Sequence, residues 1–253
     1  MNGESQPFVR RERVALALAA VLLLWWVLAG RSPAPSLVYE LTWVHGPVLA
    51  TDTGWELTRA DGSLVRVTTF ELVTHAAELM PCQPQAATET TTRLSDWLIP
   101  SAHAGHSGMR NDIATPFPVV ELPLRSPTMR LEPAALSAGP WCRVHWLAAR
   151  RDATTVAEEE ATLPMRQTLL LQGEVLHDGR ALPFRILTPL GNGRYLDLPE
   201  PLRLNQPTVV VVERDAQVLL NAIDPTLPPA QLERHLLRAL VDGTRVRMPG
   251  AAP

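Results

Sequence analysis

The chain reads as mainly β, an antiparallel β-sandwich (one large or two small) with an N-terminal transmembrane helix and one C-terminal helix. Three features predict this. Runs of alternating apolar and polar residues recur at short intervals. Asp61-Gly62 and Asp178-Gly179 each stand between two such runs, the strongest short hairpin signal. Beyond the first thirty residues, helical spacing appears only once, near the end.

At the start, "RRERVALALAAVLLLWWVLAGRS" sets Arg10, Arg11 and Arg13 before an uncharged run from Val14 to Gly30, closed by Trp25, Trp26 and Arg31. About 17 residues are enough for a short spanning helix, and the tryptophans suit an interfacial belt. Residues 1–31 therefore read as an anchor in the bacterial inner membrane, single-pass, with 14–30 in the bilayer. The arginines hold the N-terminus inside, so the remainder is periplasmic. The alternative is a signal segment cleaved after Ala29, with Val27 and Ala29 at the small-residue positions. Residues 32–36 form a proline-rich tether.

The body divides into 37–150 and 151–253. "SLVYELTWV" alternates as a first strand. After the Asp61-Gly62 turn, alternation runs from Val65 through His75 to Leu79, so one long strand reaches Pro81 and Cys82. Residues 83–117 have little periodicity and read as a long loop, of the length usually reserved for function or disorder. "VVELPL" and "TMRLEP" are short strands. In "PWCRVHWLAA" the alternation predicts Cys142, Val144 and Trp146 on one face and Trp141, Arg143 and His145 on the other. "VAEEEAT" is a solvated connector. A second hairpin forms around Asp178-Gly179, "GNGRYL" is a turn, and "TVVVVERDAQVLLNAI" predicts two strands about Asp215. The helix spans 229–242, with Leu232, Leu236, Leu237 and Leu240 on one face and Gly243 as its stop.

Composition excludes some functions. Net charge is −3 and all 23 basic residues are arginine, with no basic stripe interleaved with aromatics, which argues against nucleic-acid binding. The nucleophile-elbow, phosphate-loop and zinc-protease patterns are missing, so the chain is not read as an enzyme. Cys82 and Cys142, the only cysteines, predict a disulfide in an exported domain.

The candidate site comes from the histidines. "SAHAGHSGM" carries His103 and His106 in H-x-x-H, with Met109 three residues on. Imidazole with thioether suits copper, above all Cu(I). Two histidines bind weakly alone, so His75 or His145 is needed as well. Cys82 and His75 differ by an odd number, as do Cys142 and His145; inward cysteines send both histidines outward. With the cysteines opposed on antiparallel neighbours, His145 falls opposite Leu79, about 13 Å from His75, so one of the two joined to His103 and His106 is the easier set. His45, His177 and His235 read as turn or surface residues. Trp97 and Trp141 are expected to wall the site. The alternative is a structural or protein-interaction module of the envelope that offers the loop and the Leu232 to Leu240 helix to a partner.

The order "FELVTHAAELMPC", "AHAGH", "AGPWCRVHWLAAR" resembles uncharacterised envelope proteins of Gram-negative bacteria. "LLLQGEVLHDGRALPFRI" and "VVVVERDAQVLLNAIDP" are similar to strands of exported copper-binding proteins associated with methanobactin. The resemblance covers most of residues 60–225. It implies a β-sandwich that binds copper through histidines, sometimes beside an oxidised tryptophan, and works with a partner haem protein. The two cysteines here are fewer than that family often has, and its ligands do not match this chain residue by residue.

Overall fold

A computed structural model describes residues 36–82, 118–132, 140–204 and 207–249. The expected anchor, the tether up to residue 35 and the 83–117 loop with Trp97 lie outside them. No helix among the described residues is long and apolar enough to cross a membrane.

The described residues form two sheets. The smaller contains β1 (Leu37–Val44), β6 (Thr128–Leu131), β11 (Thr208–Asp215) and β12 (Thr244–Arg247), ordered β12-β11-β1-β6. The larger has eight strands around β4 (Leu64–Pro81): β2 (Leu49–Thr51), β3 (Gly54–Thr58), β5 (Val119–Glu121), β7 (Pro140–Ala148), β8 (Leu169–His177), β9 (Arg180–Thr188) and β10 (Asn192–Arg203). Both sheets draw strands from residues 37–150 and from 151–253, so the two portions interlock.

The protein is mainly β with antiparallel pairing almost throughout, as the alternation predicts. One pair departs from it, since β1 and β11 run parallel, Leu37 beside Thr208 and Val44 beside Asp215. Parallel neighbours need a long crossover, and more than 160 residues separate these two in the chain.

β4 organises the larger sheet because its 18 residues span several partners. Val73 accepts from Ala149 N–H at 3.3 Å and donates to Thr168 O at 2.9 Å. One residue's N–H and C=O point to the same side of a strand, so β8 and β7 follow one another along a single edge of β4. Leu37, Tyr39, Leu41 and Trp43 of β1 alternate inward against Val65, Val67, Phe70, Leu72 and Leu79 of β4 in one continuous core. From Phe70 to Thr74 every residue of β4 is buried. A second small core of Val73, Val120, Leu122, Leu163 and Leu170 covers the outer face there. Glu71 fastens its lid, accepting from Thr162 N–H and Leu163 N–H at 2.9 and 2.7 Å.

A buried ion pair crosses between the sheets. Arg214 of β11 is fully buried and meets Glu121 of β5. Thr74 donates to the same carboxylate and accepts from Trp146 Nε1 at 3.3 Å. The guanidinium also lies 4.7 Å from the ring centroid of Trp43, its neighbour across the parallel pair.

Four local expectations need correction. Asp215 ends a strand and caps helix α1 (Ala216–Asn221), accepting from Gln217 N–H and Val218 N–H at 2.8 and 3.3 Å. The segment after it is therefore helical, with Ala216, Leu219 and Leu220 buried at i, i+3 and i+4. "GNGRYL" is mostly strand, because Asn192 already pairs with Ala148. Trp141 lies in the core, since Cys142 is an extra residue in the ladder: Pro81 pairs with Trp141 and Met80 with Arg143. This bulge turns both Trp141 and Val144 inward. Finally, helix α2 (Pro229–Asp242) has the bounds its spacing predicts, but Leu232, Leu236, Leu237 and Leu240 join the sandwich core. That face is not available to a partner.

Candidate functional site

Cys82 and Cys142 form a disulfide, Cα atoms 4.7 Å apart, where the β4–β7 ladder ends. Cys82 N–H also donates to Pro140 O at 3.0 Å. The segment 83–117 therefore leaves β4 at a covalently fixed point. It returns at Val119, which pairs with Thr74 of the same strand. His75 and the outward end of β4 lie between these two attachments. His103, His106 and Met109 themselves lie outside the described residues.

The bulge at Cys142 shifts the register of β7 by one residue from the simple alignment. His145 faces Glu78 in place of Leu79. On its other side His145 faces Tyr195 of β10. Residues directly opposite on adjacent strands share a face, so Glu78, His145 and Tyr195 form a row across the outer surface, with Leu79, Val144 and Leu196 behind it in the core. The next outward row is Met80, Arg143 and Asp197.

Contacts fix parts of this row. The His145 and Tyr195 rings stack with centroids 4.7 Å apart and planes at 29°. The Arg143 guanidinium sits 5.3 Å from the Tyr195 ring centroid, on the β10 side of β7. Glu78 is only 8% exposed. Its negative charge joins burial in pushing the Tyr39 phenol up, against the lowering effect of the hydrogen bond that phenol accepts from Leu79 N–H.

His75 sits apart from this row. It falls at a register shift between Thr74 and Ala76, three residues or about 10 Å from Glu78 along the strand. Its Nε2 lies 3.7 Å from Asp152 Oδ2. The other oxygen of Asp152 accepts from Thr154 Oγ1 at 2.7 Å, Thr154 N–H at 2.9 Å and Thr155 Oγ1 at 3.0 Å. These hydrogen bonds, the Thr154 hydroxyl first, hold the carboxyl below its usual range. So each outward histidine has a carboxylate beside it, but the two are not gathered together. No group of three or more His, Cys, Asp or Glu that could hold a metal ion occurs among the described residues.

The remaining histidines have local roles. His45 packs edge-on to Trp55, centroids 4.9 Å apart, and burial lowers its pKa. His177 lies 3.4 Å from Asp178 in its hairpin turn, and His235 is exposed on α2. Sequence reasoning missed Glu78 and Tyr195. The signal for Glu78 is its parity with Met80 and Ala76 on β4; Tyr195 was hidden by reading "GNGRYL" as a turn. Comparison with known families, curated proteins and solved structures found no match to this chain.

Proposed function

We propose that this protein is an exported, membrane-tethered binder of a transition metal, copper being the expected ion, which serves sensing or handover without turnover. The observation that carries the reading is the outward His145, stacked on Tyr195 and facing a buried carboxylate, at the end of the sheet where the disulfide ties down segment 83–117. His103, His106 and Met109 would come from that segment, with His145 supplying the fixed imidazole. Its neighbouring carboxylate fits the pattern in which an acid orients a ligating ring. His75 of β4, with Asp152 from the segment after β7, is a second pairing of a histidine with a carboxylate.

The disulfide supports an oxidising compartment, in keeping with residues 14–30 as an inner-membrane anchor. The alternative of an envelope interaction module loses the leucine surface of α2, which is used internally.

The test is metal analysis of the full chain extracted from membranes, beside a His103→Ala/His106→Ala variant. Near-stoichiometric copper in the first and loss in the second is expected. Equal metal content in both, or none in either, overturns the reading.

A further inference from the structure

The four described stretches have eight ends, and all but residue 118 meet at one end of the sandwich. Ser36, where the first stretch begins, accepts from Thr208 N–H at 2.9 Å through its backbone oxygen. Leu131 pairs with Tyr39, and β12 runs back along β11 from Arg247 opposite Val211, which carries residues 132 and 249 to the same place. The Tyr39 hydroxyl accepts from Leu79 N–H at 2.8 Å and joins this end of the smaller sheet to the last residues of β4. There Cys82 N–H donates to Pro140 O at 3.0 Å, and Pro140 pairs with Arg203. Residue 118 is the exception, since Val119 pairs with Thr74 midway along β4.

The opposite end holds the two tight hairpins. Asp61-Gly62 precedes Leu64, which pairs with Leu176 just before the Asp178-Gly179 turn. Between these ends β4 runs for 18 residues. At about 3.3 Å per residue, less some shortening by twist, they lie about 50 Å apart.

The apolar run of residues 14–30 is followed by Arg31, five residues before Ser36. Five residues reach at most about 18 Å. An anchor there therefore keeps the Ser36 end close to the bilayer, while the hairpins are free to stand well away from it. The exposed apolar side chains do not mark a flank on which the domain would lie down: Leu49 is on β2 and Tyr195 on β10, the two outer strands of the larger sheet. Charge at the Ser36 end is mixed, with Arg203 and Glu132 both exposed, so the tether sets the direction.

We infer that the end of the sandwich carrying Ser36, the Cys82–Cys142 disulfide and Arg203 faces the lipid headgroups of the inner membrane, with both hairpins turned away into the periplasm. The inference rests on the anchor in the proposed function and adds the direction in which the domain stands. It makes the disulfide end the one that a partner held in the same membrane meets.

The experiment measures energy transfer from a dye on the domain to rhodamine-labelled lipid in vesicles of phosphatidylethanolamine and phosphatidylglycerol. Full-length Arg203→Cys and Arg180→Cys, both at exposed positions, are reconstituted and labelled from outside with an impermeant donor, without reductant so that the native disulfide persists. Position 203 should lie within about 20 Å of the bilayer and position 180 about 50 Å or more from it. Transfer is therefore expected to be severalfold stronger from 203. Equal transfer from the two positions, or stronger transfer from 180, in a chain that stays with the vesicles overturns the inference and leaves the anchor standing. A chain that carbonate washing releases from cell membranes, with its N-terminus just after Ala29, removes the anchor and the inference together.

Discussion

Removing the Cys82–Cys142 bond, by reduction or by Cys82→Ala/Cys142→Ala, perturbs the frame with little change to its folded contacts. The ends of β4 and β7 stay paired through the hydrogen bond from Cys82 N–H to Pro140 O and the ladder behind it. The loss therefore falls mainly on the unfolded chain, which regains the freedom of a loop with a sequence separation of 60. In the chain-entropy treatment a closed loop of that size is worth about 4 kcal/mol at 25 °C. For a domain of this size each kcal/mol moves Tm by about 2–4 °C, so a drop of roughly 8–16 °C is expected. Circular dichroism melts of the oxidised protein, the reduced protein and the double variant supply the measurement. The last two should coincide. A drop below about 4 °C, equivalent to roughly 1–2 kcal/mol, would refute the view that this bond closes a loop otherwise free in the unfolded state.

Two further perturbations address the buried charges. Arg214→Met strands Glu121 in the core and should cost about 3–5 kcal/mol in urea unfolding, while Arg214→Met/Glu121→Leu recovers much of it; a double variant no more stable than the single one contradicts this. Glu213 is half of a second arrangement, accepting from Arg245 Nε at 2.8 Å and Arg247 Nε at 2.7 Å. Burial alone would raise its pKa, but those two arginines outweigh it and hold the carboxyl below its ordinary 4.5. A carboxyl lowered on folding contributes stability that is present above the unfolded pKa and lost as pH falls through the folded one. The Tm gap between wild type and Glu213→Gln should accordingly be full at pH 6–7, above the ordinary carboxylate range, and close in acid below that range; a gap constant with pH would refute it.

Much of the fold was legible because period-2 alternation and turn chemistry are local. The Asp178-Gly179 hairpin forms with both residues at positive φ, +50° and +73°, the backbone that makes this dipeptide a hairpin signal. Helix α2 was readable from its leucine spacing and terminal glycine. What misled was local ambiguity resolved by tertiary context. "DAQVLLN" carries both a strand-like apolar run and an Asp cap with i, i+3, i+4 burial, and the cap decided the matter. The parallel β1–β11 pair joins segments far apart in the chain, and nothing in either segment marks the direction of its partner.

The candidate site was half legible for a related reason. Parity along one strand is a local property, so the outward direction of His145 could be read from its odd spacing to Cys142 only if the ladder were regular. It is not: Cys142 is an inserted residue, Trp141 turns inward, and the register slips by one. His145 remains outward, because its alternation with Val144 and Trp146 is set downstream of the bulge. Its neighbour changes, however, from an apolar leucine to an acid, and that one-residue slip is what puts imidazole beside carboxylate. The same disulfide that closes the loop marks the bulge, and because Pro81 faces Trp141 and Met80 faces Arg143 on its two sides, a chain lacking Cys142 would keep Glu78 opposite His145 in a regular ladder.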